Sequence, residues 1–250
     1  MAAASTGQLL PVTWGLGVLI AVLLAAAAAV AGRGGLGHGK AVVRAGLRAV
    51  VQLAAVALVI TWVVGSLWTS TLFVLVMFTV AVRTAGRRMT AGPGWVWAAV
   101  PIGAGVLPVL ALLLVTGLLP YQGLSLIPVA GILIGGGLTA TSLAGRRALD
   151  ELRQRRGEVE AALALGFEDR DARLEICRTA AATSLVPALD QTRTVGLVTL
   201  PGAFVGMLLG GATPVQAGAV QLFVLVALLA VEAVAVVAVL EVVGRGKVPA

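Results

Sequence analysis

Charged and metal-binding side chains are scarce in this 250-residue chain: 12% of residues are charged, with one His, one Cys and one Tyr. A soluble domain averages about 25% charged and about 45–50% apolar residues. Here 59% are apolar and the mean hydropathy is +1.04, a composition that belongs in a bilayer. A single Cys excludes a disulfide framework within a monomer and any multi-thiolate metal centre, and a single His excludes imidazole clusters. Cys177, in a charged stretch, reads as a reduced cytosolic thiol with no redox duty. With four Met beside them, few soft metal ligands are present.

What the chain does have is a basic excess, 18 Lys and Arg against 11 Asp and Glu, or +7 with a pI near 11.2. Such an excess signals nucleic acid when it forms a patch and topology when it fringes a membrane protein. Seven apolar segments approach the ~20 residues that a helix needs to cross ~30 Å of hydrocarbon. They run Val12–Ala31, Leu47–Val64, Leu67–Val82, Trp95–Gly117, Leu124–Ala144, Thr194–Gly211 and Ala217–Val243. The expected fold is therefore all-α, a polytopic membrane protein of seven transmembrane helices, forming one domain over residues 1–250. Trp14, Trp62, Trp68, Trp95, Trp97 and Tyr121 fall near the proposed ends, where amphipathic rings sit at headgroup depth.

The Lys and Arg residues occur only in the first, third and fifth connections with the adjoining helix ends, and in the tail. The connections near Ser66, Leu118–Gly123 and Gly211–Gln216 have none. This predicts an outside N-terminus and a cytoplasmic C-terminus in a multi-pass protein of the cytoplasmic (inner) membrane. A cleaved signal peptide ending at Ala29-Val30-Ala31 competes for the first span. It lacks a positive n-region, and cleavage would put Arg33–Arg48 on the wrong side.

Residues 146–193 form the one cytoplasmic segment of appreciable length. Between Arg146 and Arg178 eight Arg balance eight acids, which suits solvated helices laced with intrahelical pairs. The remaining ten basic and three acidic residues carry the whole excess, so no nucleic-acid partner is expected. Leu149, Leu152, Val159 and Leu163 can share one helical face, Gly166 stops that helix, and Glu168, Asp169 and Asp171 open the next. A helix, an elbow at Gly166-Phe167 and a returning helix suit entry into a groove on a partner. An amphipathic loop lying on the membrane is the alternative.

Glu160-Ala161-Ala162 followed by Gly166 resembles the EAA-x-x-x-G loop by which ABC-transporter permeases contact their ATPases. The resemblance implies an ATPase-coupling role for Glu160, Ala161, Ala162, Gly166 and the adjoining Phe167. Importer permeases continue with Ile and then Leu-Pro; Ile176 fits, but Arg178-Thr179 replace Leu-Pro. A broader resemblance, to the FetB-type permeases of bacterial metal-export ABC transporters, covers most of the chain from Arg48 onward. It is carried by Arg48 with Gln52-Leu53, Ile127 to Gly131, Ala164 to Asp190, Thr194 to Gly202, Gly206, and Thr213-Pro214 with Ala217 and Gln221. That family often has an Asn where this chain has Gly136, which implies a different substrate. The resemblance implies a non-enzymatic permease subunit, a homodimer in the lipid bilayer, that exports a metal ion such as iron. It further implies that this chain binds no cofactor, ATP and Mg being held by a separate ABC ATPase subunit. A permease of the EAA-loop importer class is the alternative.

A Walker A look-alike at Gly34 to Lys40 fails, because Ala41 stands where Mg²⁺ needs Ser or Thr and no strand precedes it. Gly202, Gly206 and Gly210, like Gly131 and Gly135, are spaced for close helix packing or for gating, and Pro201 should bend the sixth span. Glu232, costly in mid-span, is a pathway or proton-relay candidate or a protonated partner of a neighbouring helix. Asp190 and Arg193 are spaced to pair at the inner mouth. Arg48 and Gln52, one turn apart, suit either the cytoplasmic vestibule or a helix clamp. A retinal protein would need a Lys within a span, and an intramembrane hydrolase a His or paired acids; Lys40, Lys247 and His38 all lie outside the spans.

Overall fold

The computed structural model describes residues 13–248. Val12, the expected start of the first span, lies outside the described residues, as does the N-terminus whose outward placement the charges predict. Among the described residues the regular structure is helical, apart from an isolated bridge between Val195 and Thr199. Helix is the form in which a membrane-crossing segment can satisfy its own peptide groups. Six helical stretches among the described residues are long and apolar enough to span a bilayer.

Two compact units divide at Val63 and Val64. In the first, α1 (Trp14–Arg33) and α2 (Gly39–Val63) pack as an antiparallel pair. Gly39 lies against the Ala28 carbonyl and Gly46 against Leu24, which fixes their direction. Helix α2 starts eight residues before the expected Leu47, so Lys40, Arg44 and Arg48 are helical.

The second unit is built on α3 (Leu67–Met89), α4 (Ala99–Val115, preceded by a 3₁₀ turn at Pro93–Ala98), α5 (Gly123–Gln154) and a long C-terminal helix. Between α5 and that last helix come α6 (Arg156–Ala164), α7 (Asp169–Ala182), α8 (Val186–Thr194) and α9 (Gly202–Leu209). The last helix, α10, runs Pro214–Gly244. Its start is set by a capping box: Thr213 accepts from the Gln216 amide, Gln216 returns a bond to the Thr213 amide, and Pro214 occupies the first turn.

One apolar core joins Ala81, Ile102, Ala130, Leu133 and Val231 across α3, α4, α5 and α10. A second joins Met89, Ala144, Leu149, Cys177, Val239 and Val243, bringing α7 onto the later halves of α5 and α10. Small residues make these approaches possible. A Cβ on Gly105 would sit 2.5 Å from the Val231 carbonyl oxygen, and one on Gly86 would overlap the Trp95 carbonyl. The basic helix ends consequently gather: the Arg146 guanidinium donates to the Arg88 carbonyl at 3.4 Å. Arg83 and Arg87 lie 5.8 and 5.9 Å from the Trp95 ring, and Lys247 lies 5.4 Å from that of Trp97.

Two expectations need correction. The third span is longer than Leu67–Val82, because the helix continues through Arg83, Arg87 and Arg88. Thr194–Gly211 is not a continuous helix. It holds only α9, eight residues or about 12 Å, preceded by the irregular stretch Val195–Pro201. Pro201 caps the start of α9 instead of bending a longer helix. This part of the chain still travels along α10. Leu185 lies against Ala233–Glu241, and Val195 to Phe204 lie against Gly218–Leu225, about 20 Å further toward the α10 N-terminus.

Replacing Gly105 with Ala should lower the stability of the detergent-solubilised protein by about 1–3 kcal/mol, since neither facing backbone can yield. Gly135→Ala, whose added Cβ would meet nothing within 4 Å beyond its own helix backbone among the described residues, should leave it nearly unchanged. Thermal or SDS unfolding of the two variants compares them directly, and equal losses would refute the assignment of the close approach to Gly105.

Candidate functional site

The elbow begins where α5 gives way to α6. Arg155 caps both helices at φ −111°, ψ 32°, so the single helix expected across Leu149 to Leu163 is broken there. Its guanidinium bridges the break, donating to Glu151 at 3.2 Å and to Glu158 at 2.6 Å. Hydrogen bonds from Arg155 hold the Glu158 carboxyl below the usual carboxylate range. Leu149 and Leu152 are buried, whereas Val159 is half-buried against the same core and Leu163 exposed, so the burial of the apolar stripe fades past the break.

Gly166 closes α6 in a Schellman turn. The Phe167 amide donates to the Ala162 carbonyl at 3.1 Å and the Gly166 amide to Leu163 at 3.0 Å, with Gly166 at φ +93°. The left-handed conformation is what makes the residue glycine. Past the turn, α7 opens with Asp169 and Asp171 in its first turn, where the helix dipole favours acids. No residue of α6 is buried, and Leu165 and Phe167 at the tip are 80% and 49% exposed. Glu160 pairs with Arg156 at 2.9 Å on the same exposed helix. Beneath α6 lies a cavity of about 610 Å³ whose walls include Arg153, Arg156, Glu160, Arg173 and Val248.

The base of the elbow is clamped by a contact the sequence pattern does not advertise. Arg170 of α7 donates from Nε to Glu241 of α10 at 3.1 Å and again through Nη2, and Arg245 reaches the same carboxylate at 3.3 Å. Bonds to Glu241 and Asp171 raise the Arg170 guanidinium further above its ordinary range. Seventy-one positions separate Arg170 from Glu241, so no local spacing could have signalled the pair. Cys177, about two helical turns farther along α7, is fully buried, and burial pushes its thiol up to about 11.

The other candidates are dispersed. Asp190 and Arg193 form the expected i, i+3 pair on α8 at 3.7 Å, both exposed. Glu232 lies against Gly136: a Cβ there would be 3.1 Å from its Oε1, and among the described residues Glu232 has no hydrogen-bond or ion-pair partner. Arg48 and Gln52 are exposed on α2 in the N-terminal unit. Of the glycines spaced for packing, a Cβ on Gly131 would meet Met77, one on Gly210 carbonyls of its own helix, and one on Gly202 or Gly206 nothing within 4 Å beyond its own helix backbone among the described residues. Among those residues no three His, Cys, Asp or Glu side chains come together in a metal-binding group.

Comparison with known proteins gives a consistent picture. The model of an uncharacterised protein family, UPF0014, matches residues 14–246. The UPF0014 membrane protein STAR2 of Oryza sativa subsp. japonica is 40% identical over 152 residues, 60% of this chain and 53% of the relative. A UPF0014 membrane protein of Synechocystis is 31% identical over 210 residues, 80% of each chain. The "Probable iron export permease protein FetB" of Escherichia coli is 32% identical over 130 residues, 50% of this chain and 48% of that protein. The chain thus spans about half the length of the rice and E. coli relatives. No solved structure matches.

If Arg170 and Glu241 hold α7 down, Glu241→Ala should speed labelling of Cys177 by a maleimide several-fold at pH 8, with the wild-type thiol nearly inert. Partly exposed ion pairs contribute on the order of 0.2–1 kcal/mol, which limits the acceleration to that range. Identical labelling rates would show that apolar packing alone secures the helix.

Proposed function

The chain belongs to the uncharacterised protein family UPF0014, a multi-pass membrane protein among membrane proteins, and from that footing we propose that it is the permease subunit of an ABC transporter. In this reading residues 1–250 form one permease domain and residues 146–193 its cytoplasmic coupling segment. ATP and Mg²⁺ belong to a separate ATPase chain, and two copies of the permease assemble as a homodimer in the cytoplasmic membrane. Export of a metal ion such as iron is supported by the similarity to the probable iron export permease of E. coli and by the absence of the importer Leu-Pro at Arg178-Thr179.

The elbow carries the reading. An exposed nine-residue helix ending in a rigid glycine turn, with apolar Leu165 and Phe167 at its tip and an ion-paired base, has the form of a lever that enters a partner's groove. Force on the tip would pass through α7 to the ends of α5 and α10, against which α7 is packed. The gathering of Arg87, Arg88, Arg146 and Arg245 at the elbow end favours that end as cytoplasmic. Seven crossings with the N-terminus outside follow if six are the long helices and the sixth is the broken run α8, Val195–Pro201 and α9 beside α10. Asp190, Arg193 and Glu232 are candidate polar groups for a transit pathway, and Arg48 and Gln52 are candidates within the N-terminal unit taken by itself.

Co-purification with a candidate ATPase, followed by metal-stimulated ATP hydrolysis in liposomes, tests the assignment. Gly166→Pro cannot adopt φ +93°, and Glu160→Arg replaces an ion pair with two like charges. Either change is expected to uncouple hydrolysis from transport. A double variant that binds and stimulates the ATPase normally would sink the docking role of the elbow.

A further inference from the structure

The cavity of about 610 Å³ beneath α6 is lined partly by apolar side chains, Leu152, Val159 and Val243 among them, and partly by charge. That charge is one-sided: Arg153, Arg156 and Arg173 line the cavity against one acid, Glu160. Elsewhere in the elbow each arginine near the cavity has a carboxylate. Arg153 pairs with Asp150 at 3.0 Å and Arg156 with Glu160 at 2.9 Å, while Arg155 and Arg170 hold the acids already described. Arg173 differs. It is half-buried on α7, and among the described residues its guanidinium has no hydrogen-bond or ion-pair partner. Packing sets that group at the cavity wall, since a Cβ on Gly246, itself part of the lining, would sit 2.5 Å from its Nη1. A guanidinium carries five N–H donors and keeps its charge at any physiological pH. Leaving it half out of water without an acceptor is therefore costly.

We propose that Arg173, with Arg156 and Arg153, forms a binding site for a phosphomonoester group. Three guanidinium groups against one carboxylate leave two positive charges over, and Arg173 lacks acceptors altogether. A phosphomonoester answers both needs, with close to two negative charges and three acceptor oxygens, where a carboxylate brings one charge and two oxygens. Planar guanidinium forks hold such a group through paired N–H bonds. Arg156 is free to take part, because its exposed pair with Glu160 is worth little. The apolar lining and the volume leave room for a body attached to the phosphate, as in a lipid headgroup, besides the free ion. Helices α5 and α10, of 32 and 31 residues, are about 46–48 Å long, so their last turns pass ~30 Å of hydrocarbon and reach headgroup depth. Basic pockets at that level receive anionic headgroups. An occupant would tie α6 to α7 and to the end of α10. A regulatory effect on coupling rests on the permease reading; binding itself does not.

The full chain in maltoside detergent is titrated with inorganic phosphate, with dioctanoyl phosphatidic acid and with dioctanoyl phosphatidylcholine, and binding is read from the rise in unfolding temperature. Arg173→Met should weaken binding of the phosphomonoester about tenfold or more. Glu160→Gln, which removes the competing acid, should tighten it several-fold. Arg178→Gln deletes an exposed α7 charge outside the cavity and should change nothing. Tighter binding of phosphatidic acid than of inorganic phosphate identifies a lipid headgroup as the source, and equal or tighter binding of inorganic phosphate identifies a soluble one. Affinity that ignores Arg173, a loss as large in Arg178→Gln, or an equal response to phosphatidylcholine would overturn the site. If Arg173→Met does not fold, the tightening in Glu160→Gln carries the test, and its absence overturns the site as well. Arg173-dependent binding in a chain that no ATPase drives would leave the site standing and remove the permease reading. ATPase-driven transport with no Arg173-dependent binding would do the reverse.

Discussion

In a bilayer an unpaired peptide group finds no water to replace its lost hydrogen bond, a penalty of several kcal/mol per group. That constraint dictates most of this structure. It makes helices of the apolar runs and lets Pro108 and Pro128 sit inside helices whose neighbours are close. It also turns threonine hydroxyls inward, Thr79 to the Leu75 carbonyl and Thr139 to Gly135. Against that background the run Val195–Pro201 stands apart, since it is irregular yet lies beside a spanning helix. Irregular backbone at membrane depth is tolerated where protein or a polar cavity receives it, and Gln221 supplies a polar wall.

A second principle organises the charged segment, residues 146–193. Apolar association cannot hold solvated helices to a membrane bundle with much precision, so ion pairs and helix stops take over. Arg155 bridges the α5–α6 break, Gly166 reverses the chain, and Glu241 gathers Arg170 and Arg245. Each interaction is modest because each is partly exposed. Together with Leu174, Ile176 and Cys177 packed into the core, they join the elbow to the ends of two spans. The exposed tip is thereby connected through α7 to the ends of α5 and α10.

Most helices were legible because hydropathy reports burial in lipid directly. The elbow was legible because Gly166 is a local stop signal and Asp169 and Asp171 a local start. The run Thr194–Gly211 misled because its residues are as apolar as any span, and composition does not reveal where the backbone leaves the helix. Gly196 and Pro201 were the signal available, one permitting a left-handed turn and the other starting a new helix. The spacing of Gly202 and Gly206 suggested close packing within the chain, but the close approaches fall at Gly86 and Gly105, which have no such spacing.

Composition and charge order alone determined that this is an all-helical membrane protein with one solvated segment and a basic fringe, because transfer energies depend on residue type and not on neighbours. Membership of the family followed from residue runs along one chain. Tertiary structure decided the rest: the Arg170–Glu241 clamp across seventy-one positions, the seat of Glu232 against Gly136, and the meeting of Gln221 with the irregular run Val195–Pro201. Those features join residues remote in sequence, and only the packing of α5, α7 and α10 determines which of them touch.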